Sequence, residues 1–252
     1  MEQRNNSLVA AIPSMSDEQQ QRLAAYAEAI LRENAFYNLT GHKTIEAITE
    51  DLIYRSILPL KSLDVPRGIF AVDIGTGAGV PGIPLAIAFP NINWTLIDSN
   101  EKKTAFISSF AKNAGITNVD VLTGRAEEFG RMPNMRQRFS LAVSRAVAGP
   151  YICAELAAPF LQVGGVCCLY SSLTYISLPT AVKEHIMACG LTHTTVDVLW
   201  RSAENEAIDT AGCCDSLQYR GEDLLVFTKQ APTPQHIPRR YAVIKREAAR
   251  AM

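Results

Sequence analysis

The chain has 252 residues, 48% of them hydrophobic, and its 24 Lys+Arg against 25 Asp+Glu leave a net charge of −1. That length holds one full domain with appendages or two small domains, and that composition excludes a wholly disordered or collagen-like chain. No apolar run approaches the roughly 18–20 residues that cross a bilayer, and the start Met1-Glu2-Gln3-Arg4-Asn5-Asn6 lacks the basic-then-apolar pattern of a secretory signal. The first predicted element is a helix: Ser16-Asp17-Glu18-Gln19 fits a capping box, and Leu23, Tyr26, Ala27, Ile30 and Leu31 recur at helical period. Asn38-Leu39-Thr40-Gly41 ends this unit, and a second helix is expected at about 44–60 with Ile45, Ile48, Leu52 and Ile57 toward the core. Residues 1–64 therefore read as an N-terminal helical extension, closed by the turn-rich Asp64-Val65-Pro66-Arg67-Gly68.

From residue 69 the texture changes. Apolar strands are predicted at Ile69–Val72, Trp94–Ile97, Val119–Leu122, Leu141–Val143 and Val166–Tyr170, with two more near 194–200 and 223–228. Between them lie helical stretches that begin at Ile83, at Lys102, near 151 and at about 178. Strands separated by helices imply a mostly parallel sheet covered on both faces, an α/β doubly wound domain over residues 65–230.

Six cysteines are too sparse for a disulfide scaffold: Cys167-Cys168 and Cys213-Cys214 are adjacent pairs, Cys153 and Cys189 stand alone, and no CxxC occurs. They read as small buried hydrophobes in a reducing cytoplasm, not as metal ligands. The near-neutral net charge hides an asymmetry. Residues 229–252 carry six basic side chains against one acid, Glu247, whereas residues 1–228 carry 18 basic and 24 acidic groups. A basic tail (231–252) on an acidic body fits either a phosphate-binding footprint or a merely solvated end.

The most informative stretch is Asp73-Ile74-Gly75-Thr76-Gly77-Ala78-Gly79-Val80-Pro81-Gly82, which follows the first strand and opens a helix. Gly77 to Gly82 satisfies GxGxxG and Asp98 lies 21 residues after Gly77, so a dinucleotide fold is permitted by pattern alone. Asp73 tilts the choice. A carboxylate at the end of the first strand repels a pyrophosphate but suits the ammonium and sulfonium of S-adenosylmethionine. Asp73, Gly75, Gly77 and Gly79 are thus candidate cofactor contacts, Asp98 is placed to accept from ribose hydroxyls, and Arg125-Ala126-Glu127-Glu128 to meet an adenine edge.

At these residues the sequence resembles the RsmG/GidB family, methyltransferases that act on guanine N7 of small-subunit ribosomal RNA. The resemblance runs from about residue 16 to the basic tail: Asn34 to Thr40 is similar to the family's N-x-x-x-N-L-T, and Asp73 to Leu85 to its extended glycine loop. Leu96-Ile97-Asp98-Ser99, Arg125-Ala126-Glu127-Glu128, Ser144-Arg145-Ala146 and the segment Ala231 to Arg240 match further family motifs. It implies a Rossmann-like seven-stranded S-adenosylmethionine-dependent methyltransferase sheet, and cofactor contacts at Gly75, Val80, Ala126, Glu127 and Arg145. Two departures stand out. Asp51-Leu52-Ile53-Tyr54-Arg55 occupies the place of the family's H-x-x-D-S run, and Tyr170 that of the Lys in its L-K-G.

Guanine N7 carries a lone pair and no proton, so its methylation needs no general base and rests on positioning. Arg145 is the candidate that orients the pocket near the methyl group, with an ordinary ion pair as the plainer reading; His42, His185, His193 and His236 read as surface or packing residues. RNA phosphates require Lys and Arg. Arg131, Arg136 and Arg138 before the fourth strand, Arg239 and Arg240 in the tail, and Arg125 beside the pocket are the candidate RNA contacts. The expected partner is 16S ribosomal RNA or the small ribosomal subunit, without membrane or metal. The departures keep two alternatives open: a related methyltransferase with another acceptor, and a non-catalytic module that binds RNA or S-adenosylmethionine.

Overall fold

The computed structural model describes residues 15–61, 63, 67–194 and 223–252. Helix α1 (Asp17–Asn34) starts at the capping box, where Gln19 N–H donates to Ser16 Oγ at 3.3 Å and Ser16 N–H to Gln19 Oε1 at 3.0 Å. The Gln19 amide also donates to the Ile87 carbonyl at 2.7 Å, fastening the start of α1 to the main domain. The stretch read as a single helix is broken into α2 (Ile45–Ala47), a π-helix (Ile48–Tyr54) and α3 (Arg55–Lys61). Pro59 lies inside α3 and has no N–H to return to the preceding turn. The carbonyls of Asp51 and Leu52, within the π segment, accept from Arg145 instead.

The domain follows as β1 (Phe70–Ile74), α4 (Gly82–Ala88), β2 (Asn93–Asp98), α5 (Glu101–Asn113), β3 (Val119–Thr123), α6 (Ala126–Phe129), β4 (Phe139–Arg145), α7 (Pro150–Ala157) and β5 (Leu161–Ser171). Then come α8 (Thr180–Ala188), β6 (Leu191–His193), β7 (Asp223–Lys229) and α9 (Tyr241–Ala251). The strands form one seven-stranded sheet in the order β3-β2-β1-β4-β5-β7-β6. β1 to β5 pair in parallel, and β7 runs antiparallel to both β5 and β6. The strand expected near 194–200 begins earlier, at Leu191, because Gly190 (φ +83°) ends α8 and turns the chain straight into β6. Residues 195–200 of that expectation, and Cys213-Cys214, lie outside the described residues.

Strand alternation sorts the core into two layers. Ala71, Leu96, Val143 and Cys168 pack with Tyr26, Ile53, Ile83 and Phe110 from the N-terminal helices, α4 and α5. Val72, Ile97, Ala142 and Cys167 pack with Ile152, Ile186 and Ile244 from α7, α8 and α9. The adjacent cysteines thus face opposite layers, as a strand requires, and Cys153, Cys167, Cys168 and Cys189 are all buried free thiols.

The C-terminal segment is folded back on the domain. Arg136 donates from Nη1 to the carbonyls of Gly130 (3.2 Å) and Ile237 (2.8 Å), and from Nη2 to those of Thr233 (2.6 Å) and Pro234 (2.9 Å). Arg131 Nε donates to the Pro238 carbonyl at 3.0 Å. Arg239 grips the fully buried Glu155, from Nε to Oε1 at 2.9 Å and from Nη2 to Oε2 at 2.6 Å, and also pairs with Glu247 on α9. Burial raises the Glu155 pKa, but hydrogen bonds from Arg239 and His185 more than offset this and hold it at about 2. Ile244 and Ala248 of α9 are buried against the same layer, while Lys245, Arg246 and Arg250 face outward.

Replacing Arg136 with Ala strips four carbonyls of their charged donor. Urea unfolding is expected to show a loss of about 3 kcal/mol, since hydrogen bonds to charged groups contribute roughly 1.5–3 kcal/mol each before relaxation and water offset part of them. A loss below about 0.5 kcal/mol, the range of a neutral surface change, would contradict the clamp.

Candidate active site

A cavity of about 370 Å³ opens at the carboxyl ends of β1, β2, β3 and β4. The chain leaves β1 toward β2 on one side and meets β4 on the other, the crevice where open α/β sheets bind ligands. The floor is the turn Gly75–Ala78, which with the following Gly79 packs closely against neighbouring side chains. A Cβ at Gly75 (φ +70°) would run into Val147 Cγ2, and one at Gly79 (φ +99°) would stand 2.8 Å from the Tyr26 hydroxyl and 2.9 Å from Ile83. From α1, Tyr26 donates its hydroxyl to the Ala78 carbonyl at 2.8 Å and so supports the loop from beneath.

Asp98 ends β2 and lines the cavity. Its Oδ2 accepts from Gly77 N–H and its Oδ1 from Asn100 N–H, both at 2.8 Å, which leaves further lone pairs on each oxygen for a ligand hydroxyl. Gly75, Gly77, Val80, Arg125, Ala126, Glu127 and Arg145 share this wall with Asp98. The cavity also gathers residues not singled out as contacts from the sequence: Leu39 and Thr40 after α1, Lys103 on α5, Val147 after β4, and Tyr241 at the start of α9. Asn34 explains the first of these, because its Oδ1 accepts from Thr40 N–H (3.1 Å) and its Nδ2 donates to the His42 carbonyl (2.9 Å), folding Leu39-Thr40 back over the site.

Asp73 and Gly79 are not in the cavity wall. Asp73 alternates with Val72 and Ile74, so its side chain enters the layer under α1 and α4, where it is fully buried and Oδ2 accepts from Gly82 N–H at 2.9 Å. Burial pushes its carboxyl up to about 7, against the opposing pull of Thr76 and the Gly82 N–H and with the help of the Asp98 charge. Asp73 Oδ1 and Thr76 Oγ1 are both buried with no partner in hydrogen-bonding geometry. Asp73 is placed to brace the loop; it does not face a ligand ammonium in this geometry.

Arg145 lies on the wall with its guanidinium turned to the N-terminal helices. Nη1 donates to the Leu52 carbonyl (3.2 Å) and Ser56 Oγ (3.0 Å), and Nη2 to the Asp51 carbonyl (2.5 Å). Tyr170 donates to the Ser56 carbonyl at 2.5 Å and its ring lies 5.7 Å from the Arg145 guanidinium. Tyr170, one of the departures from the family pattern, and Arg145 thus together seat the helical extension on β4 and β5. Asp51 pairs with His42 (3.2 Å) and with Arg55 (3.2 Å).

Of the six arginines expected to face RNA, Arg125 lines the cavity, and Arg131, Arg138 and Arg240 are exposed. Arg131 and Arg136 donate to the C-terminal segment, and Arg239 within that segment pairs with Glu155 of α7. Arg138 stacks on Phe70 and Phe139, the first residues of β1 and β4, at the opposite end of the sheet from the cavity.

A mostly parallel seven-stranded sheet with a glycine turn on β1, an acid ending β2 and the cavity between them defines a Rossmann-like S-adenosylmethionine-dependent methyltransferase. The residues present fit that cofactor: Asp98 would take the ribose hydroxyls, the side-chain-free Gly75 and Gly77 allow close approach, and Ala126-Glu127 would flank the base. The family model described as "GidB: rRNA small subunit methyltransferase G" matches residues 19–205, and the chain belongs to that family. It is 34% identical over 233 residues to the ribosomal RNA small subunit methyltransferase G of Trichormus variabilis, covering 90% of this chain and 89% of that protein. The protein of the same name from Moorella thermoacetica is 32% identical over 235 residues, with 90% and 89% covered. Similarity to solved structures is looser: a SAM dependent methyltransferase from Aquifex aeolicus matches at 15% identity and a TM-score of 0.45, over 59% of this chain and 85% of that one.

The raised Asp73 pKa gives a pH prediction. The folded state holds the proton up to about pH 7 whereas an unfolded Asp loses it near 3.8, so stability falls as pH rises through that window. Between pH 5 and 8 the ligand-free protein is expected to lose about 2–3 kcal/mol through this group, at 1.36 kcal/mol per unit. In denaturant titrations at the two pH values, Asp73→Asn is expected to flatten that dependence; parallel curves for the variant and the wild type would refute it.

Proposed function

We propose that the protein transfers a methyl group from S-adenosylmethionine to N7 of a guanine in 16S ribosomal RNA, acting in the cytoplasm on the RNA or on the small ribosomal subunit. The observation that carries this reading is a cavity built for the cofactor in a chain that belongs to the GidB family over residues 19–205. Bound S-adenosylmethionine supplies an electrophilic methyl on a sulfonium. The protein's part is to hold cofactor and base in line at roughly 3–3.5 Å, because N7 needs no deprotonation. Arg145 contributes as a positioning residue. Its donors are taken up by Asp51, Leu52 and Ser56, so it fixes the wall formed by Leu52, Leu39 and Thr40 against β4.

The phosphate contacts are assigned to the outward face of α9, where Arg240, Lys245, Arg246 and Arg250 are exposed on and next to the helix whose first residue, Tyr241, lines the cavity. The loop cluster is less suited, because Arg136 gives both terminal nitrogens to carbonyls and Arg138 lies at the opposite end of the sheet from the cavity. The second reading, another methyl acceptor, is less favoured because the helix that brings Tyr241 to the cavity carries a basic outward face, which suits a polyanion.

The test is tritium transfer from labelled S-adenosylmethionine to small subunits lacking the modification, followed by mapping of the labelled base. Label at one guanine N7 supports the reading; cofactor binding without label on RNA overturns it. In the same assay Arg145→Lys, which keeps the charge but loses the planar fork, is expected to lower kcat/KM about 100-fold, the cost of a misplacement on the order of 1 Å. The double change Lys245→Ala and Arg246→Ala is expected to reduce the slope of log affinity against log salt by about 2, one per lost phosphate contact. An unchanged slope would remove α9 from the RNA face.

A further inference from the structure

Tyr241 is the first residue of α9, far in sequence from every other cofactor motif, yet it lines the cavity. Its ring lies 4.7 Å from the Arg125 guanidinium carbon, and Arg125 Nε donates to Glu127 Oε1 at 3.1 Å. Tyr241, Arg125 and Glu127 thus close the end of the cavity formed by the turn from β3 into α6. The direction of the cofactor across the sheet follows from strand order. If ribose meets Asp98 at the end of β2, the base lies toward β3, the outer strand, and the amino-acid part toward β1 and β4. The base end is the end that Tyr241 and Arg125 wall off.

We propose that Tyr241 is an adenine-binding residue, forming with the Arg125 guanidinium over its ring a stacked pair against which the base packs, and that Arg239 and Glu155 are the positioning pair that keeps it there. The pair is suited to that task. Glu155 is rooted in α7 at 0% exposure, and Arg239 reaches it with its backbone N–H (2.8 Å) as well as its side chain, two residues before Tyr241. Glu247 binds the other edge of the same guanidinium from within α9, so the arginine fixes both the entry and the body of the helix. A guanidinium stacked over an aromatic ring offers planar stacking and cation–π contact to a purine without demanding a hydrogen-bond pattern. This inference rests on cofactor binding in the cavity and is independent of the RNA acceptor.

Isothermal titration of the full chain with S-adenosylhomocysteine and with 5′-methylthioadenosine tests it. Tyr241→Ala is expected to weaken both ligands about tenfold, within the range for loss of one base–aromatic stack, and Tyr241→Phe to stay within about twofold of the wild type. The second ligand keeps adenine and lacks the amino acid, so an equal penalty on both places the effect at the base. Arg239→Lys, which loses the fork on Glu155, is expected to weaken binding about threefold. Added to Tyr241→Ala it is expected to cost nothing more, because a positioning residue acts through the ring it places. Wild-type affinity in Tyr241→Ala, or a penalty confined to S-adenosylhomocysteine, overturns the assignment. Additive losses in the double variant overturn the role given to Arg239.

Discussion

Two carboxylates at the ends of neighbouring strands hold the loop on which the site is built. Asp73 Oδ2 takes the N–H of Gly82 and Asp98 Oδ2 that of Gly77, so the glycine turn is pinned at its start and at its exit into α4. The two acids differ because of where their strands put them. Asp98 ends β2 with lone pairs toward the cavity, while Asp73 sits one residue inside β1 and is turned into the core. Tyr26 holds the loop's middle through the Ala78 carbonyl, which makes the N-terminal helix part of the cofactor floor. A floor fixed at three points loses little freedom when a ligand arrives, and that is affinity gained by preorganisation.

A second set of constraints attaches the wall to the floor. A π-helix bonds residue i to i+5 in place of i+4, and such segments occur frequently at functional sites. Here the Asp51 and Leu52 carbonyls are taken by Arg145 from β4, and the Ser56 carbonyl by Tyr170 from β5. The helical extension is therefore bonded to the two strands at the centre of the sheet, and Leu39, Thr40 and Leu52 form one side of the cavity. For a displacement that needs only alignment, rigidity of this wall is the catalytic contribution to expect from the protein.

The alternation of strands and helices and the placement of the glycine turn were legible because they follow from local periodicity and from one dense motif. Asp98, Ala126 and Glu127 reach the cavity as their positions at strand ends imply. The misreadings share a cause, which is that a charge count has no record of what lies across the fold. Arg136 looks like a free cation in Met135-Arg136-Gln137-Arg138, but its partners are carbonyls at Thr233, Pro234 and Ile237. Asp73 looks ligand-facing by motif, yet strand alternation, which only the register of β1 settles, turns it inward. Tyr241 carries no local signal beyond an aromatic residue after Pro238-Arg239-Arg240, and its role depends on a helix docking against α7.

That docking joins two surfaces in one element. α9 buries Ile244 and Ala248, presents Tyr241 to the cavity at its first turn, and turns Lys245, Arg246 and Arg250 to solvent. Whatever holds α9 in place holds the Tyr241 wall as well, and whatever fills the cavity against Tyr241 favours the docked helix. Linkage makes such an effect reciprocal: a polyanion that binds the basic face of docked α9 raises cofactor affinity by the same factor by which cofactor raises its own. The size of that factor is bounded by how often α9 is undocked in the free protein, since a state already fully populated has nothing left to shift. The fully buried Glu155, gripped by three nitrogens of Arg239, keeps that population small. The physics therefore assigns α9 chiefly to preorganisation of the base end of the cavity, with any coupling between acceptor and cofactor a smaller effect on top of it.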